Sequence, residues 1–267
     1  MIIDDKIQQA GRYLAGAYMG GRPLNIMEKQ FAPLNQSEAY AVQRAFLGHL
    51  SRSEGPVGGY KVAYTSESMR QRMGISEPCY GQLFSEKIFD SPTSVKSTDY
   101  YQLAIECEVA VKLSQDIEPS NVTYTLNTIE PYIEALFTSF EIVDRKPLGT
   151  ADLSNDPSIG PIATNISNAG AVLGQPITKW GALDLSNAKA TISVNGSLVT
   201  EGKGSDIMGH PINPLVWLAN TLSEKGVTIP NNSIIITGSI APPLDIYSGD
   251  TSEIEIEGLG KAILTVE

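Results

Sequence analysis

The chain has 267 residues, 42% of them apolar and 18% charged, and a formal net charge of −11. This composition fits a folded globular protein with room for one large core and excludes a disordered chain. The acidic balance, 19 Lys and Arg against 30 Asp and Glu, argues against nucleic acid or an acidic membrane surface as partner, because both need basic patches.

The opening MIIDDKIQQAGRYLAGAYMG lacks the basic region and long apolar run of a secretory signal. It reads instead as an amphipathic helix near residues 3–19. A second helix, SEAYAVQRAFLGHL, is expected near 36–52, with Asn35 or Ser37 as its cap; the segment between the two reads as loop. After the turn SEGPVGG come GYKVAYTS, a short polar helix in SESMRQRMG, and a turn from Pro78 to Gly81. From residue 82 strands dominate: IECEVAVKL, then TIEPYIEALFTSFEIVD, then segments near 190–200, with a Gly/Pro/Asn-rich loop expected at 147–170. PINPLVWLANTLSEKG, with early prolines and Gly226 at its end, is a helix. NNSIIITGS, GDTSEIEIEG and KAILTV close the chain as strands. There is no repeat at fixed period and no regular βαβ alternation. The expected class is therefore α+β, a helical segment (1–55) ahead of a mixed-β core (56–267).

No stretch approaches the roughly 20 apolar residues of a membrane span. Cys79 and Cys107 form neither a framework of bridges nor a CxxC site, so a cytoplasmic location is expected. There is no GxSxG elbow, and GKGSDIMG fails both the Rossmann and the P-loop spacing, so its glycines read as a turn. The two histidines, His49 and His210, are too few for a His-rich metal centre. His49, on an amphipathic helix, reads as structural; His210, just ahead of a helix, either packs, caps or serves a site.

The stretch AIECEVAVKL (104–113) alternates like a half-buried strand. Ile105, Cys107, Val109, Val111 and Leu113 share one face, which leaves Glu106 and Glu108 side by side on the other. Carboxylates roughly 7 Å apart on one strand face look either to water or to a common cation. Oxygen-only ligation suits Mg²⁺ or Mn²⁺. A third carboxylate is available in Glu141 of SFEIVDR, whose apolar neighbours turn it inward.

GYKVAYTS (59–66), EPCYGQLF (77–84), IECEVAV (105–111), FEIVDR (140–145) and IATNISNAGAVLG (162–174) are followed by NG (195–196), GHPINPLVWLANTLSEKG (209–226), IIITGS (234–239) and SGD…LGKAILTV (248–266). In this order the motifs resemble the 2-keto-4-pentenoate hydratase and 4-oxalocrotonate decarboxylase family of the fumarylacetoacetate hydrolase superfamily. The resemblance implies a mixed β-sheet or β-roll core of the fumarylacetoacetase C-terminal type. It implies a Mg²⁺ or Mn²⁺ ion held by Glu106, Glu108 and Glu141, with Lys61 as the family's lysine and Ser239 near the substrate. Arg145 reads as structural, paired with Asp144 or a neighbouring strand. The substrate would be a small anionic 2-oxo acid, and self-association into a homo-oligomer is expected. The activity implied is that of a hydro-lyase on 2-hydroxypenta-2,4-dienoate in aromatic meta-cleavage catabolism, with 4-oxalocrotonate decarboxylation next. Acylpyruvate C–C hydrolysis and a non-catalytic oxo-acid binder are the further alternatives.

Two departures from the family pattern bear on the chemistry. Where relatives carry Asp in a PDYG-like turn, this chain has Cys79, and where they carry ADN it reads Ala163-Thr164-Asn165. If the missing Asp shuttles a proton, Cys79 is its replacement in the catalytic set, and an unperturbed thiol with a pKa of about 8.5 relays protons poorly. The other reading of Cys79 is an inert packing residue.

Overall fold

The protein is described by a computed structural model covering residues 3–24, 32–146 and 156–267. Helices α1 (Ile3–Met19) and α2 (Gln36–Glu54) pack on each other. The Asn35 side chain accepts the Glu38 N–H and so caps α2, and Ala39, Tyr40, Val42, Phe46, Leu47 and Leu50 form its buried stripe. Then come β1 (Val57–Ala63), α3 (Glu67–Met73), β2 (Cys79–Phe84), β3 (Ile88–Asp90), β4 (Thr93–Val95) and β5 (Leu103–Leu113). The middle of the chain supplies α4 (Leu126–Ile129), β6 (Ile133–Asp144), α5 (Ile159–Ala163), β7 (Asn168–Leu173), β8 (Lys189–Val194) and β9 (Ser197–Lys203). The last elements are α6 (Asn213–Glu224), β10 (Ile234–Ser239), β11 (Leu244–Asp245), β12 (Thr251–Ile256) and β13 (Gly260–Val266). Among the described residues no helix is long and apolar enough to cross a membrane.

The α+β class and both long sheet strands are as expected, and three local expectations need correction. The turn at Pro78–Gly81 is a strand: β2 starts at Cys79 and runs antiparallel to β1, with Cys79 opposite Ala63 and Gly81 opposite Lys61. Pro and Gly favour a turn locally, but ladder pairing and the burial of Cys79 and Tyr80 override that preference. TIEPYIEALFTSFEIVD is a strand only from Ile133; its first part is the Thr125-capped α4 and a 3₁₀ turn holding Pro131, which has no N–H for a ladder. Of the loop expected at 147–170, residues 147–155 lie outside the described residues, and the remainder holds α5, a tight turn and the start of β7.

One sheet has the strand order β2-β1-β10-β5-β6-β7-β3, with β11 beside β5. Only β1–β10 and β7–β3 are parallel in it. The second sheet runs β4-β13-β12-β8-β9, parallel only at β13–β4. Val109, Val111, Leu136, Phe140, Ile142 and Val172 belong to the large core shared with the helices and the second sheet. Alternate positions (Leu83, Ala110, Phe137, Ala171, Leu173, Ile234 and Ile236) form a separate apolar cluster on the opposite face. The sheet curls so that β2 comes alongside β7 and encloses this second cluster.

Asn165 fastens the curl. Its Oδ1 accepts the Gln82 N–H at 2.7 Å while its Nδ2 donates to the Gln82 carbonyl at 2.9 Å, so one side chain replaces a missing strand partner. Gly81 makes room for it, since a Cβ there would lie 2.8 Å from Asn165 Oδ1. Asn165→Ala leaves both Gln82 groups unpaired and is expected to lower unfolding free energy by about 2 kcal/mol in urea titrations. Asn165→Asp, which keeps the acceptor and loses the donor, should fall between.

Candidate metal centre

The pleat of β5 sends Glu106 and Glu108 to the enclosed face, four and two residues from Ala110. Pairing with β6 sets Glu106 directly opposite Glu141. On its two flanks Glu108 meets Ser139 of β6 and Ser239 of β10. One carboxylate oxygen from each glutamate lies within 4.8 Å of the other two. Glu108 and Glu141 are fully buried and Glu106 is half-buried, which puts Glu106 at the mouth. From β1, Lys61 brings Nζ to 3.2 Å from Glu141 Oε2.

Each buried carboxylate has one oxygen fixed by a hydrogen bond from a neighbouring N–H group. Asn168 Nδ2 donates to Glu141 Oε1 at 2.9 Å, and the Gly238 N–H donates to Glu108 Oε2 at 2.6 Å. Gly238 has a φ of +99° and lies against Thr65, where a Cβ would come 2.2 Å from Thr65 Oγ1, so glycine is required at this approach. Glu108 Oε1 is buried and accepts no hydrogen bond, and the buried Glu141 Oε2 is ion-paired with Lys61.

The electrostatics follow from this crowding. Burial, and then the Glu141 charge, raise Glu106 to about 7. Burial followed by Glu141 and Glu106 raises Glu108 well above the ordinary carboxylate range. Burial pulls Lys61 down, but Glu141, Glu106 and Glu108 together outweigh it and the ammonium is held above its usual value. An unsatisfied buried oxygen on Glu108, an all-oxygen donor set and three carboxylates against one ammonium fit a hard divalent cation such as Mg²⁺ or Mn²⁺.

The other expected residues sort by their contacts. Ser239 lies beside Glu108, but its hydroxyl donates to the Ala241 carbonyl. Cys79 is 1% exposed, and burial, followed by the charges of Glu77 and Asp156, pushes its thiol up to about 12. Its only hydrogen-bond contact among the described residues is a long one, 3.9 Å, to the Glu77 carbonyl. Thr164 bonds back to the Gly160 and Pro161 carbonyls of its own short helix. Arg145 pairs with Asp245 of β11 at 2.8 Å, whereas Asp144 binds Lys146 and the backbone N–H groups of Tyr101 and Gln102. His210 accepts the Ile212 N–H at 3.1 Å just ahead of α6, and His49 is exposed on α2. The sequence reading missed Asn168 and the Gly238 N–H. The glycine of TGS was a visible signal for the latter, but nothing local marks Asn168, which reaches Glu141 only through the β6–β7 register.

Residues 66–267 match the family of the fumarylacetoacetate (FAA) hydrolase C-terminal domain. The chain belongs to this family. It is 30% identical over 256 residues to a 2-keto-4-pentenoate hydratase of Paraburkholderia xenovorans (strain LB400), covering 95% of this chain and 92% of the relative. It is also 30% identical over 242 residues to the 2-oxo-hept-4-ene-1,7-dioate hydratase of Escherichia coli, covering 89% of each. The 4-oxalocrotonate decarboxylase of Pseudomonas putida G7, solved with magnesium and adipate, shares the fold, with a TM-score of 0.85 at 23% identity over 98% of both chains. As a member of the FAA hydrolase family, the chain carries its acidic cluster on the matched segment.

Two measurements test this description. A cation must displace the protons that Glu106, near 7, and Glu108 hold in the metal-free protein. Mn²⁺ affinity is therefore expected to rise with pH between about 6 and 8, by about tenfold per unit for each proton released, as read by calorimetry. A flat profile would contradict the raised carboxyls. Both thiols are buried, so Ellman's reagent at pH 8 should label neither Cys79 nor Cys107 in the folded protein and both after denaturation.

Proposed function

We propose that the chain is a divalent-metal-dependent hydro-lyase that adds water to small 2-hydroxy-2,4-dienoates of the 2-hydroxypenta-2,4-dienoate type. The observation that carries this reading is the convergence of Glu106, Glu108 and Glu141 beside buried Lys61, with Glu108 Oε1 buried and accepting no hydrogen bond. It is supported by 30% identity to named hydratases along nearly the whole chain.

Bound Mg²⁺ or Mn²⁺ would supply Lewis-acid stabilisation of the negative charge that develops on the substrate's 2-oxygen. Three carboxylates, one ammonium and one divalent ion sum to zero, so the loaded site does not repel an anionic acid. Lys61, held in its ammonium form, orients the substrate carboxylate and is unsuited to act as a base at neutral pH. Gly238 and Asn168 keep the Glu108 and Glu141 carboxylates aimed inward. Cys79 stays a neutral thiol at pH 7 and does not replace an aspartate as proton carrier. Glu106, half-buried at the mouth, is the carboxylate nearest to solvent water. We further propose a cytoplasmic location, in keeping with two free thiols, and a homo-oligomer in solution.

The test is loss of diene absorbance when purified protein with Mg²⁺ or Mn²⁺ meets 2-hydroxypenta-2,4-dienoate. Turnover should vanish with EDTA, and Glu108→Gln should lower kcat at least a hundredfold. Release of CO₂ from 4-oxalocrotonate without turnover of the dienoate would replace the hydratase by a decarboxylase. A metal-loaded protein inert to both would be an oxo-acid binder.

A further inference from the structure

Just past the end of β1, three residues after Lys61, Tyr64 has a φ of +58°, a conformation that bulky residues rarely adopt. The corner is held from both sides. Arg70 Nη1 donates to the Tyr64 carbonyl at 2.8 Å and to the Thr65 carbonyl at 3.0 Å. Thr65, 4% exposed, presses on Gly238, whose N–H binds Glu108. A strained corner secured this firmly beside a site points to a use for the side chain it displays.

The Tyr64 ring is half-buried against the core, and its hydroxyl lies within electrostatic reach of Lys61, Cys79 and Glu106. Ser239, Ser139 and Cys79, which neighbour the cluster, are already committed. Ser239 donates to Ala241, Ser139 to Phe140 and Cys79 weakly to Glu77. Among the described residues the Tyr64 hydroxyl has no hydrogen-bond partner. Burial, the main influence, pushes the phenol up to about 12, so it keeps its proton across the neutral range and can only donate or accept as a neutral group.

We propose that Tyr64 is a substrate-contacting residue whose hydroxyl donates a hydrogen bond to an oxygen of the bound 2-oxo acid, opposite the ammonium of Lys61. This rests on the 2-oxo-acid reading of the site and adds to it a neutral donor that the three glutamates, being acceptors, cannot provide. No proton changes hands in this role: the donor stabilises charge as it grows on the acceptor oxygen.

The conservative variant Tyr64→Phe removes the hydroxyl and leaves the ring to pack, so folding is preserved. The probe is 2-oxopentanoate titrated by calorimetry into Mn²⁺-loaded protein, together with the tyrosine ultraviolet difference spectrum. Wild type should bind the probe with a tyrosine signal near 290 nm. Tyr64→Phe should bind it at least tenfold more weakly, lack that signal, and keep its Mn²⁺ affinity and melting temperature. Binding within twofold of wild type would overturn the role of Tyr64 and leave the site reading intact. Failure of wild type to bind 2-oxopentanoate would overturn both.

Discussion

The arrangement depends on one register, that of β5 against β6, which sets Glu106 across from Glu141 with Glu108 two residues further along. Two unit charges about 4.8 Å apart repel by roughly 3–4 kcal/mol at an effective dielectric near 20. Three carboxylates in one enclosed face accumulate several such terms, on top of the cost of burying Glu108 and Glu141. Lys61, the Asn168 amide and the Gly238 N–H offset part of that cost. A slip of one residue would turn both β5 glutamates into the opposite face, among Val109, Val111 and Phe140 of the large apolar core. The strongly apolar alternation of β5 fixes the register against that slip, so the core and the acidic site are specified by the same pattern.

That coupling explains which parts were legible in the sequence. Period-two alternation in AIECEVAVKL identified the face shared by Glu106 and Glu108, and the Asn35 cap and the early prolines of α6 located two helices, because each signal lies within a few residues of the feature it predicts. The errors lie where a distant strand decides. Pro78-Cys79-Tyr80-Gly81 has the composition of a turn and becomes β2 because β1 supplies a ladder. Asn165 closes the curl through Gln82, 83 residues away. The three consecutive left-handed residues Asn165, Ile166 and Ser167, with φ of 60°, 48° and 59°, have no local signature either, since isoleucine is a poor residue for that region.

Those left-handed residues and the Tyr64 corner flank the acidic cluster on its two sides. The first turn delivers Asn165 to Gln82 and then Asn168 to Glu141; the second carries Thr65 onto Gly238 and, through it, onto Glu108. Left-handed backbone costs roughly 1–2 kcal/mol per non-glycine residue. It persists because the neighbouring contacts leave the chain no relaxed alternative: Ile166 is buried in the core, and Arg70 grips two successive carbonyls at the Tyr64 corner. Strain is thus concentrated where two of the three glutamates must be held still.

Holding them still matters because three crowded carboxylates carry more negative charge than Lys61 alone balances. Without a cation, the cheapest response of three crowded carboxylates would be to rotate apart or to keep their protons. The raised Glu106 and Glu108 carboxyls express the second response. The first is blocked: Asn168 and the Gly238 N–H each hold one oxygen of a buried pair, so Glu141 Oε2 stays against Lys61 and Glu108 Oε1 stays pointed inward with no hydrogen bond. A cation arriving there gains ligands whose geometry has been set in advance by packing, and expels protons rather than reorganising the chain. Lys61 completes the balance, since its ammonium partly compensates the cluster before any ion binds. In the proposed loaded site the same ammonium would face an incoming acid, which would meet no net charge instead of a wall of carboxylates. An acidic protein can in this way accept an anionic substrate: the global charge acts at long range and is screened by salt within about 10 Å, while the few groups inside the curl act at contact distance.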